Sequence, residues 1–401
     1  MTCSASNENP DRARRPADAR PAGVSDRRPC AILRELPADL ATVDPGAPGV
    51  FTPKPVDPLA YAAAKRRWDS LSKPLDGLGE FETLVCRLAA MQRTPDPTAN
   101  NRAVVVMCAD NGVVDEGVSQ CGKEVTAAVT AALGKEISSL NTLAREARAD
   151  VLPVDVGVDS DLEFAGVLDR RVRRGTRNIA VEPAMTREEA ARAIAVGADI
   201  ARQMKTLGYS VLAAGEMGIG NTTTTTALFC ALTGAPVAEV VGRGAGLDNA
   251  GLARKRAVVE RALQRADLSS ITSPRDHALA ALCELGGLDI AALVGLALGC
   301  AREGLPLILD GAISSVAALA AERIAPGTRE YYVPSHRGRE LCNRQALAAL
   351  GLAPFIDGAM ALGEGTGAAM LFPLLDMALA FYRRASSFSD AGVRQYERFT
   401  Q

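Results

Sequence analysis

Four short apolar runs, each closed by acidic or glycine residues, constrain this chain's fold more than any other feature. Residues 103–108 lead into Asp110-Asn111-Gly112, and residues 151–156 end at Asp155 and Gly157. Residues 210–214 run into Gly215-Glu216, and residues 306–309 end at Asp310-Gly311. Runs this short and this apolar read as strands buried on both faces. Helical patterns lie between them, over roughly 123–148, 186–206, 221–233, 249–264 and 276–302. Buried strands alternating with helices predict an α/β fold with a mostly parallel sheet flanked by helices. Such sheets bind ligands beyond the carboxyl ends of their strands, where these Asp, Glu and Gly residues fall.

The two ends of the chain read differently. Residues 1–50 hold seven Arg, seven Asp or Glu and seven Pro, with no apolar periodicity, so residues 1–52 are expected to be a disordered extension. An apolar signal-peptide core is absent, and the acids argue against a transit peptide. From Pro58 the pattern is helical: Leu59, Ala63, Trp68 and Leu71, then Phe81, Leu84, Val85, Leu88 and Met91. A Pro/Gly-punctuated turn at 72–80 separates the two sets. Helical patterns return at 339–350 and 366–382. The expected organisation is a small helical domain built from both chain ends (53–100 and 339–401) around an α/β domain at 101–338.

Charge and composition narrow the partners. With 45 basic and 47 acidic residues and 4% aromatics, the chain lacks the basic excess and stacking platforms of a nucleic-acid binder. No run is apolar enough to span a bilayer, so small molecules are the expected partners. The nine cysteines form no CxxC pair and read as reduced thiols of a cytoplasmic protein. Two histidines, His277 and His336, are too few for a zinc site of the usual kind, and no metal or cofactor is expected.

Three glycine-rich turns carry the candidate chemistry. Residues 215–226 (GEMGIGNTTTTT) follow a predicted strand and open a helix. Gly218 and Gly220 would let a ligand approach the backbone, while Asn221, Thr222 and the helix N-terminus would offer donors to an anion. Tight packing alone explains such a turn about as often, but five successive threonines are a costly way to start a helix for packing's sake. The second turn, residues 242–248 (GRGAGLD), precedes a helix carrying Arg254, Lys255 and Arg256. That helix face is either solvated or supplies a lysine to a phosphate. The third turn is Gly363-Glu364-Gly365-Thr366-Gly367, whose glutamate either complements a helix dipole or does chemistry.

These turns sit within a longer ordered set: KPLDGLGEFE, CADNGVVDEGVSQCGKEVTAAVT, GEMGIGNTTTTTAL, GRGAGLD, GGLDIAALVGLALGCA, LILDGAISSVAALAA, YYVPSHR and ALGEGTGAA. Together, across about residues 58–395, the chain resembles the nicotinate-nucleotide–dimethylbenzimidazole phosphoribosyltransferases of cobalamin lower-ligand synthesis. The resemblance implies a Rossmann-like large domain, a homodimer, and as substrates nicotinate mononucleotide and a benzimidazole-type base. It makes Glu364 the general base and places Glu216 and Asp310 among the active-site acids. Ser119, Met217 and Leu362 fall at the base pocket, and Gly218, Gly244 and Lys255 around the nucleotide phosphate. Two segments depart from the family pattern. Gly338-Arg339-Glu340-Leu341 stands where Ser-Ala-Glu-Pro is common, and Ala127 follows Thr126 where some members carry Gln.

The implied reaction suits these residue types. The nicotinate ring nitrogen is positively charged while bonded to ribose and leaves neutral, so positioning and one proton acceptor suffice, with inversion at the anomeric carbon. Three alternatives stand beside this reading: a dinucleotide-dependent oxidoreductase, a non-catalytic nucleotide binder of the same fold, and a transferase for another lower-ligand base. The oxidoreductase would require a GxGxxG fingerprint, but Thr223 occupies the last glycine's place.

Overall fold

The computed structural model describes residues 49–398 together with the isolated positions 33, 45 and 47. Most of the expected extension therefore lies outside the described residues. In chain order the elements are α1 (Pro58–Ser70), α2 (Glu80–Gln92), β1 (Arg102–Ala109), α3 (Glu124–Gly134), α4 (Ser139–Glu146), β2 (Asp150–Gly157), β3 (Leu168–Asp169), α5 (Arg187–Thr206), β4 (Val211–Met217), α6 (Asn221–Thr233), α7 (Val237–Val240), α8 (Asn249–Ala266), α9 (Pro274–Leu285), α10 (Leu288–Glu303), β5 (Leu307–Leu309), α11 (Ala312–Ile324), β6 (Tyr332–Pro334), β7 (His336–Gly338), α12 (Leu341–Ala349), β8 (Ile356–Met360) and α13 (Thr366–Arg384).

Six strands make one parallel sheet in the order β3-β2-β1-β4-β5-β6. The chain leaves the centre in opposite directions from β1 and β4, which opens a crevice at their carboxyl ends. All four strands predicted from apolar runs are present, and the sheet belongs to the expected α/β class. The edge strand β6 is only three residues long, too short to carry a readable pattern. β7 and β8 pair separately as a two-stranded ribbon.

The pleat of β1 shows why its residues 103–109 are all apolar. Ala103, Val105 and Met107 enter a core shared with α5, α6, α9, α10 and α11. Val104, Val106 and Cys108 enter a second core shared with α1, α2, α4 and α13. With both faces covered, the strand carries a polar residue only at its first position, Arg102. Two long helical patterns are each interrupted. The stretch 123–148 breaks before Ser138, which starts α4 with a reciprocal capping box to Asn141, and the stretch 276–302 breaks at Gly286-Gly287.

The two ends of the chain meet on the second core. Trp68 of α1 stacks on Phe381 (5.9 Å between centroids) and packs against Tyr382 of α13 (5.2 Å). Arg102, buried at the start of β1, makes a two-pronged pair with Asp376 of α13 at 2.6 and 2.7 Å. α12 lies elsewhere: Cys342, Ala346 and Leu347 join the first core against α11. Ordered packing begins before Pro53, because Phe51 is buried and Arg302 lies over its ring at 5.9 Å.

Candidate functional site

Glu216 lies near the end of β4, and the chain turns into α6 through Gly220, whose left-handed backbone (φ 92°) makes the corner. Gly218 is required for space, since a Cβ there would lie 2.4 Å from the Ala109 carbonyl and 2.9 Å from Asp289 Oδ2. Asn221 opens α6 with its side chain turned back under the loop. Its Nδ2 donates to Glu216 Oε2 and, at 3.0 Å, to Asp289 Oδ2. Both carboxyls are buried. Burial, reinforced by the charge of Glu364, raises Glu216 to about 6, and burial beside Glu216 raises Asp289 to about 7.

Asp310 follows β5 and faces the start of α13. Its Oδ2 accepts from the Gly365 N–H (3.2 Å) and its Oδ1 from the Ala368 N–H (3.0 Å), so it caps that helix from another strand. Burial pushes Asp310 up to about 7. Ser314, on the helix that follows β5, accepts from Asp310's own backbone N–H at 2.9 Å. His336 Nδ1 lies 3.9 Å from Asp310 and bonds Ser335 Oγ at 3.0 Å, and burial lowers its pKa.

The turn that Asp310 holds presents Glu364. Its carbonyl rests on β4, where a Cβ on Gly215 would sit 2.5 Å away. The half-buried Glu364 carboxylate accepts from the Leu140 N–H at 3.4 Å, at the N-terminus of α4, where helix dipole and free N–H groups favour an anion. Burial nevertheless pushes its pKa above the ordinary glutamate value. Met217 follows Glu216 and is half-buried, Leu362 precedes the turn and is 56% exposed, and half-buried Ser119 accepts from the Cys121 N–H at 3.4 Å. Thr126 of α3 fastens the glycine-rich loop by accepting from the Ile219 N–H at 3.1 Å.

On the other side of the α6 N-terminus the chemistry changes sign. Lys255, on α8, is completely buried although its neighbour Arg254 is exposed, which removes the solvated-face reading. Its Nζ donates to Thr222 Oγ1 at 2.9 Å, and burial lowers its pKa. Gly244 lies against this pair, with its Cβ position 2.9 Å from Thr222 Oγ1 and 3.4 Å from Lys255 Nζ. The departing segment closes the pocket, since Glu340 Oε1 accepts from the Gly244 N–H at 2.9 Å. The other threonines face inward. Thr224 and Thr226 bond the Asn221 and Thr222 carbonyls, and Thr223 and Thr225 are fully buried.

Two residues of the acidic side, Asp289 and Asn111, carry no role in the sequence reading. Both lie near glycines within the quoted segments CADNG and GGLD, the signal by which they could be found. No group of three or more His, Cys, Asp or Glu able to hold a metal is present among the described residues. A cavity of about 640 Å³ lies apart from all of this, lined by residues including Arg177, Met185, Leu279 and Cys283. Arg177 is neutralised there by Glu189 at 2.8 Å, which leaves the chemistry with the crevice rather than this cavity.

A family model described as phosphoribosyltransferase matches residues 53–393. The nicotinate-nucleotide–dimethylbenzimidazole phosphoribosyltransferase of Ruminiclostridium cellulolyticum is 45% identical over 334 residues, covering 83% of this chain and 94% of the relative. The enzyme of that name from Thermus thermophilus is 44% identical over 339 residues, covering 84% and 99%. The crystal structure of CobT from Thermus thermophilus superposes with a TM-score of 0.79 at 43% identity, covering 84% of this chain and all of the other.

Proposed function

The chain belongs to the nicotinate-nucleotide–dimethylbenzimidazole phosphoribosyltransferase family, and we propose that it moves 5-phosphoribose from nicotinate mononucleotide to a benzimidazole-type base with Glu364 as general base. The observation that carries this assignment of roles is the Glu364 turn. A half-buried carboxylate of raised pKa is held on a fixed backbone beside Glu216, at the carboxyl ends of the central strands. A base of raised pKa accepts a proton more readily than an ordinary surface glutamate.

In the reaction, one imidazole nitrogen bonds to the anomeric carbon as the bond to the nicotinate nitrogen breaks. The electron pair of that bond neutralises the pyridinium, and the proton on the second imidazole nitrogen passes to Glu364. Attack from the face opposite the leaving group inverts the configuration. Lys255, Thr222 and the Gly244 turn take the nucleotide phosphate, a role supported by a fully buried ammonium held beside a positive-φ glycine. The buried Glu216 and Asp310 shape the site around the developing charge on ribose.

The protein acts as a cytoplasmic homodimer in this reading. The seven cysteines among the described residues are unpaired, as in a reducing compartment. Met370, Met377 and Phe381 leave an exposed apolar stripe on α13, which suits a subunit contact. Incubating the purified protein with nicotinate mononucleotide and a panel of bases tests the function. Base-dependent release of nicotinate is expected. Nucleotide binding without release, with every base tried, would point to the non-catalytic alternative.

A further inference from the structure

The most unusual polar cluster outside the proposed roles is the one around Asp289, a fully buried carboxylate in the first turn of α10. We propose that Asp289 is a positioning residue for the transfer reaction: through the Asn221 amide it fixes the Glu216 carboxyl and, with it, the turn that carries Glu364. The inference rests on the transferase reading above.

The geometry is specific. One amide nitrogen has two hydrogens, and Asn221 Nδ2 spends one on Glu216 and the other on Asp289. Glu216 in turn lies against the catalytic turn: its Oε1 is 2.9 Å from the Cβ position of Gly363, and the Glu364 backbone partly offsets the rise that burial gives its pKa. Asp289, Asn221, Glu216 and the turn thus form one continuous chain of contacts. Two atoms at its far end are buried without partners, Asp289 Oδ1 and Asn111 Nδ2. Asp289 Oδ1 and Asn111 Oδ1 both crowd the Cβ position of Gly287, at 2.5 and 2.6 Å. A proton on Asp289, which burial beside Glu216 favours, avoids placing two full charges on one amide.

The charged groups around the pair are acidic: Glu364 acts on Glu216, and Glu216 acts on both Asp289 and Asp310. No ion pair to Glu216 or Asp289 is present among the described residues, and the Asn221 amide is what joins the two carboxyls. A buried pair kept without a counter-ion is poor structural economy and fits a role in setting the site.

The test uses Asp289→Asn, Glu216→Gln and the double variant in the full chain. Asp289→Asn is expected to lower kcat at least tenfold, with KM for nicotinate mononucleotide within twofold of the parent. The loss should fall on kcat alone, which a general loosening of the fold would not produce. The double variant should be no slower than Glu216→Gln alone, since both changes cut one chain. Parental kcat in Asp289→Asn, a rise in KM that matches the fall in kcat, or additive losses in the double variant would overturn the proposal. Should Asp289→Asn fail to fold by circular dichroism, Asn221→Ser severs the same link and is held to the same outcomes. A parent enzyme that releases no nicotinate would instead sink the transferase reading, which keeps the two failures apart.

Discussion

Asn221 and Thr222 are adjacent in sequence, yet they serve regions of opposite charge. Asn221 turns back to bridge the buried carboxyls Glu216 and Asp289, while Thr222 accepts from the buried ammonium of Lys255. On the acidic side burial raises the pKa of each carboxyl, and on the basic side burial lowers that of the lysine. Both regions thus hold their charged groups under tension, and a single helix start divides them. In the proposed reaction one side moves a proton near ribose and the other grips the phosphate. The arrangement teaches that the costly threonine start of α6 separates two functions more than it supplies hydroxyls to one.

If the division is real, catalysis and binding should come apart by mutation. The largest effect is expected for Glu364→Gln, which keeps size but removes the proposed proton acceptor. Its kcat should fall by about two to four orders of magnitude with little change in either KM, read by steady-state kinetics. Lys255→Ala comes next. Losing a charged hydrogen-bond partner of the phosphate should raise KM for the nucleotide by roughly 10- to 150-fold, the ~1.5–3 kcal/mol of such a bond, with kcat nearly unchanged. A change in kcat alone at Lys255, or in KM alone at Glu364, would break the comparison.

A third expectation concerns pH and stability. Glu216, Asp289 and Asp310 rise from 4.5, 3.8 and 3.8 to about 6, 7 and 7 in the folded protein. Their contribution is therefore complete below about pH 4 and is lost as pH climbs through the folded values. The thermal midpoint, followed by calorimetry, should carry a falling component between about pH 4 and pH 7. Asp310→Asn, which cannot ionise, should flatten it. The smallest effect is expected at the family departure. A Cβ on Gly338 would meet nothing closer than 3.5 Å, so Gly338→Ser should fit without loss of stability. By adding one donor beside Glu340 it should lower KM for the nucleotide about two- to fivefold, the ~0.5–1 kcal/mol of a net hydrogen bond.

Much of the scaffold was legible because two-sided burial leaves an unmistakable mark on β1, β2 and β4. The three-residue β6 was not, since its partner strand and not its sequence defines it. Helix breaks at Ser138 and Gly286-Gly287 hid inside apolar periodicity that continues across them. Among the site residues, the glycine turns announced themselves, and Lys255 stood out only as one of two readings until its burial was visible. Asp310 was legible as a strand-end acid, but not as the cap of α13, which is distant in sequence. Asp289 and Asn111 escaped because their meaning lies in hydrogen bonds to residues 68 and 113 positions away, a distance that no local pattern spans.

The turn at Gly363-Glu364-Gly365 has all three residues in left-handed backbone, at φ 82°, 61° and 92°. For the two glycines this is free, but for a glutamate it costs about 1–2 kcal/mol. Selection for heat resistance alone would therefore favour Glu364→Gly, a change that relaxes the turn and removes the proposed proton acceptor together. Thermostability and turnover are opposed at this one codon, so a library screened only by melting temperature would enrich for well-folded, inactive protein.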